Sequence, residues 1–438
     1  MPKPLPDSRS SLRGLSRLTI DAIAEVTHLV EAMHQTILRT PGILGKATTG
    51  PTKGITGFVY RSIRGVNTLV GRTLDVLLER VDPLLGELSA APATEVALAA
   101  LNGVLGDYLA ETQNPLAISM SLRDDGRPLL LEVEALRSAF PQPTDKLLVL
   151  AHGLCMNDLQ WSRPGSAQGQ TLVDDTDQHG NLSSLLSRDL GYTPVHLHYN
   201  SGRHISSNGR EFADLLETLV RQWPMPVREL VIVGHSMGGL VSRSACHYGA
   251  EAKHVWLQRL RSLVFLGTPH HGAPLERSGN WVDAMLGASP YTAPFARLGK
   301  IRSAGITDLR YGNLIDEDWV GRDRFARSGD LRRSLPLPAD AQCYVIAATT
   351  QKAFRNPGDR TFIDRLRGSD AQGNGLRGDG LVPVRSALGH HDDPALSLVI
   401  AESRQWIGHG MNHLDLLTHP AVHEQIGSWL SRPATRTF

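Results

Sequence analysis

The chain has 438 residues, 41% hydrophobic and 20% charged, with 45 Lys and Arg against 44 Asp and Glu for a formal net charge of +1. So even a balance gives no general field for a polyanion, and no basic tract with interleaved aromatics occurs, which excludes nucleic acid as an expected partner. The length is sufficient to bury a full α/β core with material left over, and no run of about 18 apolar residues offers a transmembrane helix.

Residues 1–13 contain Pro, Ser and Arg with no apolar stretch behind them, so no signal peptide is expected. Cys155, Cys246 and Cys343 are odd in number and widely spaced, which suits a reducing, cytoplasmic compartment and leaves no disulfide framework. Leu15, Leu18, Ala22, Val26, Leu29, Met33 and Ile37 then recur at spacings of three and four, as in an amphipathic helix. After a Pro/Gly-rich linker over 40–56, Phe58, Ile63, Val66, Val70, Leu74, Leu77 and Val81 form a second stripe flanked by Arg61, Arg64, Arg72 and Arg80. Residues 94–109 are a third helical candidate. These helices either pack on one another or on the body of the chain, or they make peripheral contact with a membrane or a second copy. Residues 1–112 are read as this helical extension, and 113–438 as the main domain.

From residue 116 the pattern turns to strands. Residues 116–122 and 128–133 surround Asp124-Asp125-Gly126, a hairpin signal that begins a sheet antiparallel. Parallel strands are expected at 146–151, 194–199, 229–233, 262–266, 342–347 and 396–402, with helices such as 209–221 and 241–248 between them. That alternation predicts an α/β fold, a mostly parallel doubly wound sheet with its site at the carboxyl ends of the strands.

The strand at 229–233 runs directly into Gly234-His235-Ser236-Met237-Gly238. A serine hydroxyl is a weak nucleophile, and a Gly-x-Ser-x-Gly turn between strand and helix exposes it where a histidine can take its proton. Gly234 and Gly238 leave space for the turn. Upstream, the strand at 146–151 ends in His152-Gly153-Leu154, where the Leu154 N–H can face a developing oxyanion; Met237 N–H, just after the serine, supplies a second donor. Cys155, next to this segment, is read as a small buried residue.

Between the expected strands at 262–266 and 342–347 lies an insertion of about 70 residues, far longer than an ordinary connection. Trp281, Met285, Leu286, Tyr291, Phe295, Leu298 and Ile301 make it apolar, while Asp316, Glu317 and Asp318 make its distal part acidic. It is a lid candidate over about 273–338, or else an excursion covering one sheet edge. Downstream, Asp379 between Gly378 and Gly380 is the expected acid. His413 is preferred to His409 as the base, because His413 opens an apolar helical stretch whereas His409 sits between glycines in a turn. His270 and His271 precede the acid and so fall outside the expected order.

His152-Gly153-Leu154, Gly234-His235-Ser236-Met237-Gly238-Gly239, Gly267-Thr268-Pro269-His270-His271-Gly272, Asp379-Gly380-Leu381-Val382-Pro383 and Asn412-His413-Leu414-Asp415 occur in one order over about residues 115–432. In them the chain resembles the serine lipases and esterases of the α/β-hydrolase fold, especially bacterial triacylglycerol lipases and the GPI inositol-deacylase-like lipases. The resemblance implies that fold over about residues 115–432; the lid insertion is read from its length and the N-terminal helical extension from its apolar spacing. It also implies a triad of Ser236, Asp379 and His413, with Leu154 and Met237 as the oxyanion hole. In such lipases the aspartate matched by Asp415 helps bind calcium, but His419 stands where a further oxygen ligand is expected, and imidazole suits a hard cation poorly. No metal or other cofactor is expected, and Asp415 is read as a helix N-terminal charge or a hydrogen-bonding partner.

The expected function is carboxylic ester hydrolysis through an acyl-enzyme on Ser236, acting on a small-molecule or lipid acyl ester. An intracellular acyltransferase or thioesterase would use the same three residues. A non-enzymatic lipid-binding or scaffold protein would rely on the N-terminal helices instead.

Overall fold

Continuous apolar runs become strands buried on both faces, as parallel sheets require. In the computed structural model, which describes residues 92–162, 181–273, 303–323, 330–352 and 378–432, eight strands form one sheet. They are β1 (Ser121–Asp124), β2 (Arg127–Pro128), β3 (Lys146–Ala151), β4 (Thr193–His198), β5 (Glu229–His235), β6 (Leu260–Leu266), β7 (Gln342–Thr349) and β8 (Gln405–His409). Their order is β2-β1-β4-β3-β5-β6-β7-β8; β1 is antiparallel to β2 and β4, and every other pair is parallel.

The hairpin forms as the Asp-Asp-Gly signal predicts, with Asp125 at φ 45° and Gly126 at φ 77°, the backbone of a two-residue primed turn. Its arms are shorter than expected, because β1 pairs with β4 only through residues 121–123 and no ladder extends farther. The strand expected at 396–402 is absent. Val399 is 98% exposed, and Leu398 N is spent on Gly389 O rather than on a ladder. The neighbour of β7 is instead Gln405–His409, a short edge strand of mixed polarity that no apolar run announced. His409 therefore ends a strand opposite Thr349, not a turn between glycines.

The helices are α1 (Pro92–Glu111), α2 (Val133–Ala139), α3 (Leu182–Leu190), α4 (Ile205–Gln222), α5 (Met237–Glu251), α6 (Ala304–Asp308), α7 (Val384–Ala387), α8 (Asp415–Thr418) and α9 (Pro420–Leu430). From β3 the chain crosses to β4 on one side, returns past β3 to β5, and continues to β6, β7 and β8. Right-handed crossovers put α3 on one face and α4 and α5 on the other. The direction reverses between β3 and β5, so the crevice outside their carboxyl ends is where a site belongs.

Glu95–Tyr108 forms one compact unit with Ile118–Phe438, and Pro4–Thr94 with Leu109–Ala117 forms another. Residues 95–108 of α1 thus belong to the unit that holds the sheet. Its residues 99–106 are buried on every side rather than along a stripe. The first two helical stripes, the linker and the apolar residues 281–301 of the insertion lie outside the described residues. The described part of the insertion packs on the body: Asp308 accepts from Ile205 N at 2.9 Å, Trp319 Nε1 donates to Ser206 Oγ at 2.9 Å, and Ser244 Oγ donates to Leu314 O at 2.6 Å. Asp318, in the acidic stretch, is buried and accepts from Leu314 N at 2.8 Å. No helix among the described residues is long and apolar enough to cross a membrane.

Candidate active site

Ser236 sits between β5 and α5 at φ 54°, ψ −122°, a conformation that costs an L-residue energy and survives only where the surroundings impose it. Three close approaches impose it here. A Cβ on Gly234 would lie 2.6 Å from the Gly239 backbone, and one on Gly238 would collide with the carbonyl oxygens of Ala151 and His152 at the end of β3. Ser236 N also donates to Leu266 O at 2.8 Å, tying the turn to the end of β6. The two glycines of the motif are needed because strand and helix nearly touch.

The loop after β3 lies against this turn. A Cβ on Gly153 would be 3.1 Å from Ser236 Cβ. Leu154 follows at full burial, and Cys155 takes φ 59° with its N–H donating to Ser201 Oγ at 3.1 Å. Met237 N–H, at the first position of α5, has no intrahelical acceptor, as at any helix start. Both amides sit at the reversal between β3 and β5.

His152 is buried and stacked on Tyr199, with ring centroids 4.4 Å apart. Its Nδ1 is 2.8 Å from Gly153 O and its Nε2 is 3.4 Å from Tyr199 N, which suits a neutral ring with the proton on Nδ1. Burial, with His198 adding, lowers it to about 3. Behind it, Asp158 Oδ1 lies 3.1 Å from Arg123 Nη1 and 3.2 Å from His198 Nδ1. Burial pushes the Asp158 carboxyl up, but His198 and Arg123 outweigh it and hold it at about 2. Burial raises Cys155 to about 12, so it is a thiol, as a small buried residue should be.

Asp379 follows the end of β7, where Thr350 N donates to Gly378 O at 3.3 Å. Its Oδ1 accepts from Leu381 N at 2.9 Å and Val382 N at 2.8 Å. That tight turn explains both flanking glycines: Gly380 has φ 100°, and a Cβ on Gly378 would run into Val382 O. The remaining oxygen, Oδ2, lies 2.6 Å from His413 Nδ1, and His413 N donates to Asp379 O at 3.1 Å. A carboxylate can only accept, so Nδ1 carries the proton and Nε2 presents a lone pair. Asp379 and His413 are each 2% exposed.

The structure thus brings Asp379 and His413 together and sets His413 beside the serine turn. His235, the residue before Ser236, has its ring centroid 4.7 Å from that of His413, and its Nε2 is 3.0 Å from His413 O. A Cβ on Gly267, next to Leu266, would be 3.0 Å from His413 Cε1. Ser236 Oγ and His413 Nε2 are both buried without a hydrogen-bond partner among the described residues, so they do not bond to each other in this state. The His235–His413 backbone contact was not legible in the motif, whose second position tolerates many residues.

Asp415 opens α8, and its Oδ2 accepts from Asn412 N at 2.7 Å, while Asn412 Oδ1 accepts from Leu414 N and Asp415 N at 2.9 and 3.1 Å. Its carboxylate holds the turn that presents His413. Among the described residues no group of three or more His, Cys, Asp or Glu is arranged to hold a metal.

Residues 143–332 match the family described as a PGAP1-like alpha/beta domain. No curated protein matches the chain by sequence. Among solved structures, the chain is similar to the mature form of Bacillus licheniformis lipase BlEst2 at 16% identity and a TM-score of 0.37, covering 71% of this chain and 97% of that one. Aspergillus fumigatus lipase B is similar at 12% identity and a TM-score of 0.34, covering 72% and 61%. A thermophilic esterase is similar at 14% identity and a TM-score of 0.31, covering 66% and 90%. The similarity to the PGAP1-like alpha/beta domain thus spans β3 to β6 and includes Ser236, on a sheet whose strands are mostly parallel.

Proposed function

We propose that the protein is a serine carboxylic ester hydrolase, a lipase or esterase that acts through an acyl-enzyme on Ser236. The observation that carries this reading is the 2.6 Å hydrogen bond from His413 Nδ1 to Asp379, beside a serine held at φ 54°. With Nδ1 protonated, Nε2 is the free base; the Ser236 Oγ–Nε2 hydrogen bond closes in the substrate complex. Oγ attacks the ester carbonyl and gives its proton to Nε2, and the Leu154 and Met237 amides receive the oxyanion. Collapse breaks the C–O bond to the alcohol, which leaves with the proton from Nε2. Water then attacks the acyl-enzyme, again giving its proton to Nε2, and Ser236 recovers a proton as the acid departs. Asp379 keeps the imidazole in one tautomer and stays ionised throughout. The apolar composition of residues 281–301, inserted after β6, favours an ester of appreciable hydrophobicity.

The test is hydrolysis of chromogenic acyl esters from short to long chain, with and without detergent micelles, by the native protein and by Ser236→Ala. Serine-dependent turnover is expected, falling by a factor on the order of 10⁴ or more in the variant. Rates that rise with chain length and micelles identify a lipase, and short-chain preference without interfacial activation identifies an esterase. Equal turnover by a folded Ser236→Ala protein would sink the assignment. Transfer of the acyl group to an added alcohol in preference to water would replace it with an acyltransferase.

A further inference from the structure

His413 has a main-chain N–H and C=O and two ring nitrogens, and a general base must keep Nε2 free. The other three groups are all held. Its N–H donates to Asp379 O at 3.1 Å and its Nδ1 lies 2.6 Å from Asp379 Oδ2, so two tethers come from the acid. The third comes from the serine turn: His235 Nε2 lies 3.0 Å from His413 O. Ser236 Oγ and His413 Nε2 do not bond to each other in this state, so this contact is a direct link from the nucleophile turn to the base.

The His235 ring is fully buried, with its centroid 4.7 Å from that of His413 and in an edge-on contact with Trp161 at 6.5 Å. A carbonyl only accepts, so the His235 proton is on Nε2 and Nδ1 presents a lone pair. Burial, with His413 adding, holds the ring well below its ordinary value of 6.5, so it is neutral. A cation there would repel the imidazolium that His413 becomes on taking the serine proton.

His235 Nδ1 is buried without a hydrogen-bond partner, 3.2 Å from where a Cβ on Gly153 would stand. A buried acceptor left unmet costs stability, and an apolar side chain of similar size would fill the space without that cost. The close fit of strand to helix rests instead on Gly234, Gly238 and the Ser236 N–H. What histidine adds at this position is the donor on the base's own carbonyl.

We propose that His235 is a positioning residue: its Nε2–H holds the His413 peptide at the place from which His413 Nε2 can take the serine proton. The inference rests on the acyl-enzyme reading of Ser236 and His413, and adds to it a residue that acts through His413 and not on the ester.

The test compares His235→Gln, whose amide nitrogen reaches as far along the side chain as Nε2, with His235→Asn, which is one methylene shorter and does not reach His413 O. In the folded His235→Asn protein, kcat for a chromogenic ester should fall roughly 10- to 100-fold with KM nearly constant, the effect of misplacing a catalytic group by about 1 Å. His235→Gln should restore most of that loss. The downfield proton NMR signal of His413 Nδ1–H, which needs no substrate, should shift in His235→Asn and stay in place in His235→Gln. If His235→Asn does not fold, His235→Leu, which buries no amide, takes its place with the same expectations. Equal kcat in the native protein and the variant without the donor, equal losses with and without it, or an unmoved Nδ1 signal in its absence would overturn the proposal. Absence of serine-dependent turnover by the native protein would instead overturn the acyl-enzyme reading, and the Nδ1 signal would still decide whether His235 positions His413.

Discussion

His152 shows how one side chain beside the serine turn ties acid stability to the site. Its ring is held at about 3, mainly by burial, whereas in the unfolded chain it titrates near its ordinary value of 6.5. A depressed folded value means stability that is complete above 6.5 and is lost as the pH falls from there toward 3, because only the unfolded chain takes up the proton. The loss is about 1.4 kcal/mol per pH unit, or about 2 kcal/mol at pH 5. His152→Gln removes this contribution, so between pH 6.5 and 5 its stability should fall less steeply than that of the native protein by about that amount per unit. Urea unfolding at several pH values measures both slopes, and parallel profiles would refute the account. Asp158, at about 2, adds its own loss only below the ordinary carboxylate value of 3.8. At this scale the sequence was informative where chemistry follows local spacing, as in Gly234–Gly238 around Ser236 and Gly378–Gly380 around Asp379. It was silent on the His235 donor to His413 O, which forms because the loop after β8 returns to the serine turn in the fold.

Among the elements, β3 was legible to its ends and β5, β6 and β7 to within a few residues, because each is an apolar run buried on both faces, and burial of that kind leaves a continuous pattern. β8 was not, because an edge strand needs one ladder and no such run; Gln-Trp-Ile-Gly-His pairs with β7 through its backbone. The apolar stretch at 396–400 resembled a strand more closely, yet it runs as an irregular loop with Val399 in solvent. Val399→Asp separates the two registers. In a sheet strand whose side chains alternate between faces, a buried aspartate would cost several kcal/mol, whereas at an exposed loop position the expected change is within about 0.5 kcal/mol. Chemical denaturation of the variant reads this directly, and a loss above about 2 kcal/mol would restore the strand.

At the scale of the whole unit that holds the sheet, residues 95–108 of α1 lie against the loop beside Ser236. Residues 94–109 read as one more amphipathic stripe of an extension, but a helix apolar on all sides belongs in a core, and that signal was present in Val-Ala-Leu-Ala-Ala-Leu-Asn-Gly-Val-Leu. Within the unit that holds the sheet, Asn102 Oδ1 accepts from Ile118 N at 2.9 Å, Gly103 O from Ser303 Oγ at 2.7 Å, and Gly106 O from Asn200 Nδ2 at 2.8 Å. The helix thereby joins the approach to β1, the insertion and the turn after β4. Gly103 also faces the loop beside Ser236: a Cβ there would lie 2.9 Å from both Cα and N of Cys155, the residue after Leu154. Backbone cannot yield as a flexible side chain does, so Gly103→Ala must move either the helix or the loop that carries the Leu154 amide. Overpacking of this kind costs about 1–3 kcal/mol, and displacement of one oxyanion donor costs up to about 3–4 kcal/mol in the transition state. In the proposed acyl-enzyme mechanism that amide acts on the developing charge and not on the bound ester, so kcat should fall at least roughly tenfold while KM stays nearly constant. Paired unfolding and steady-state measurements distinguish the cases: lower stability with unchanged kcat would mean that the helix gives way and α1 supports the fold without setting the geometry at Ser236.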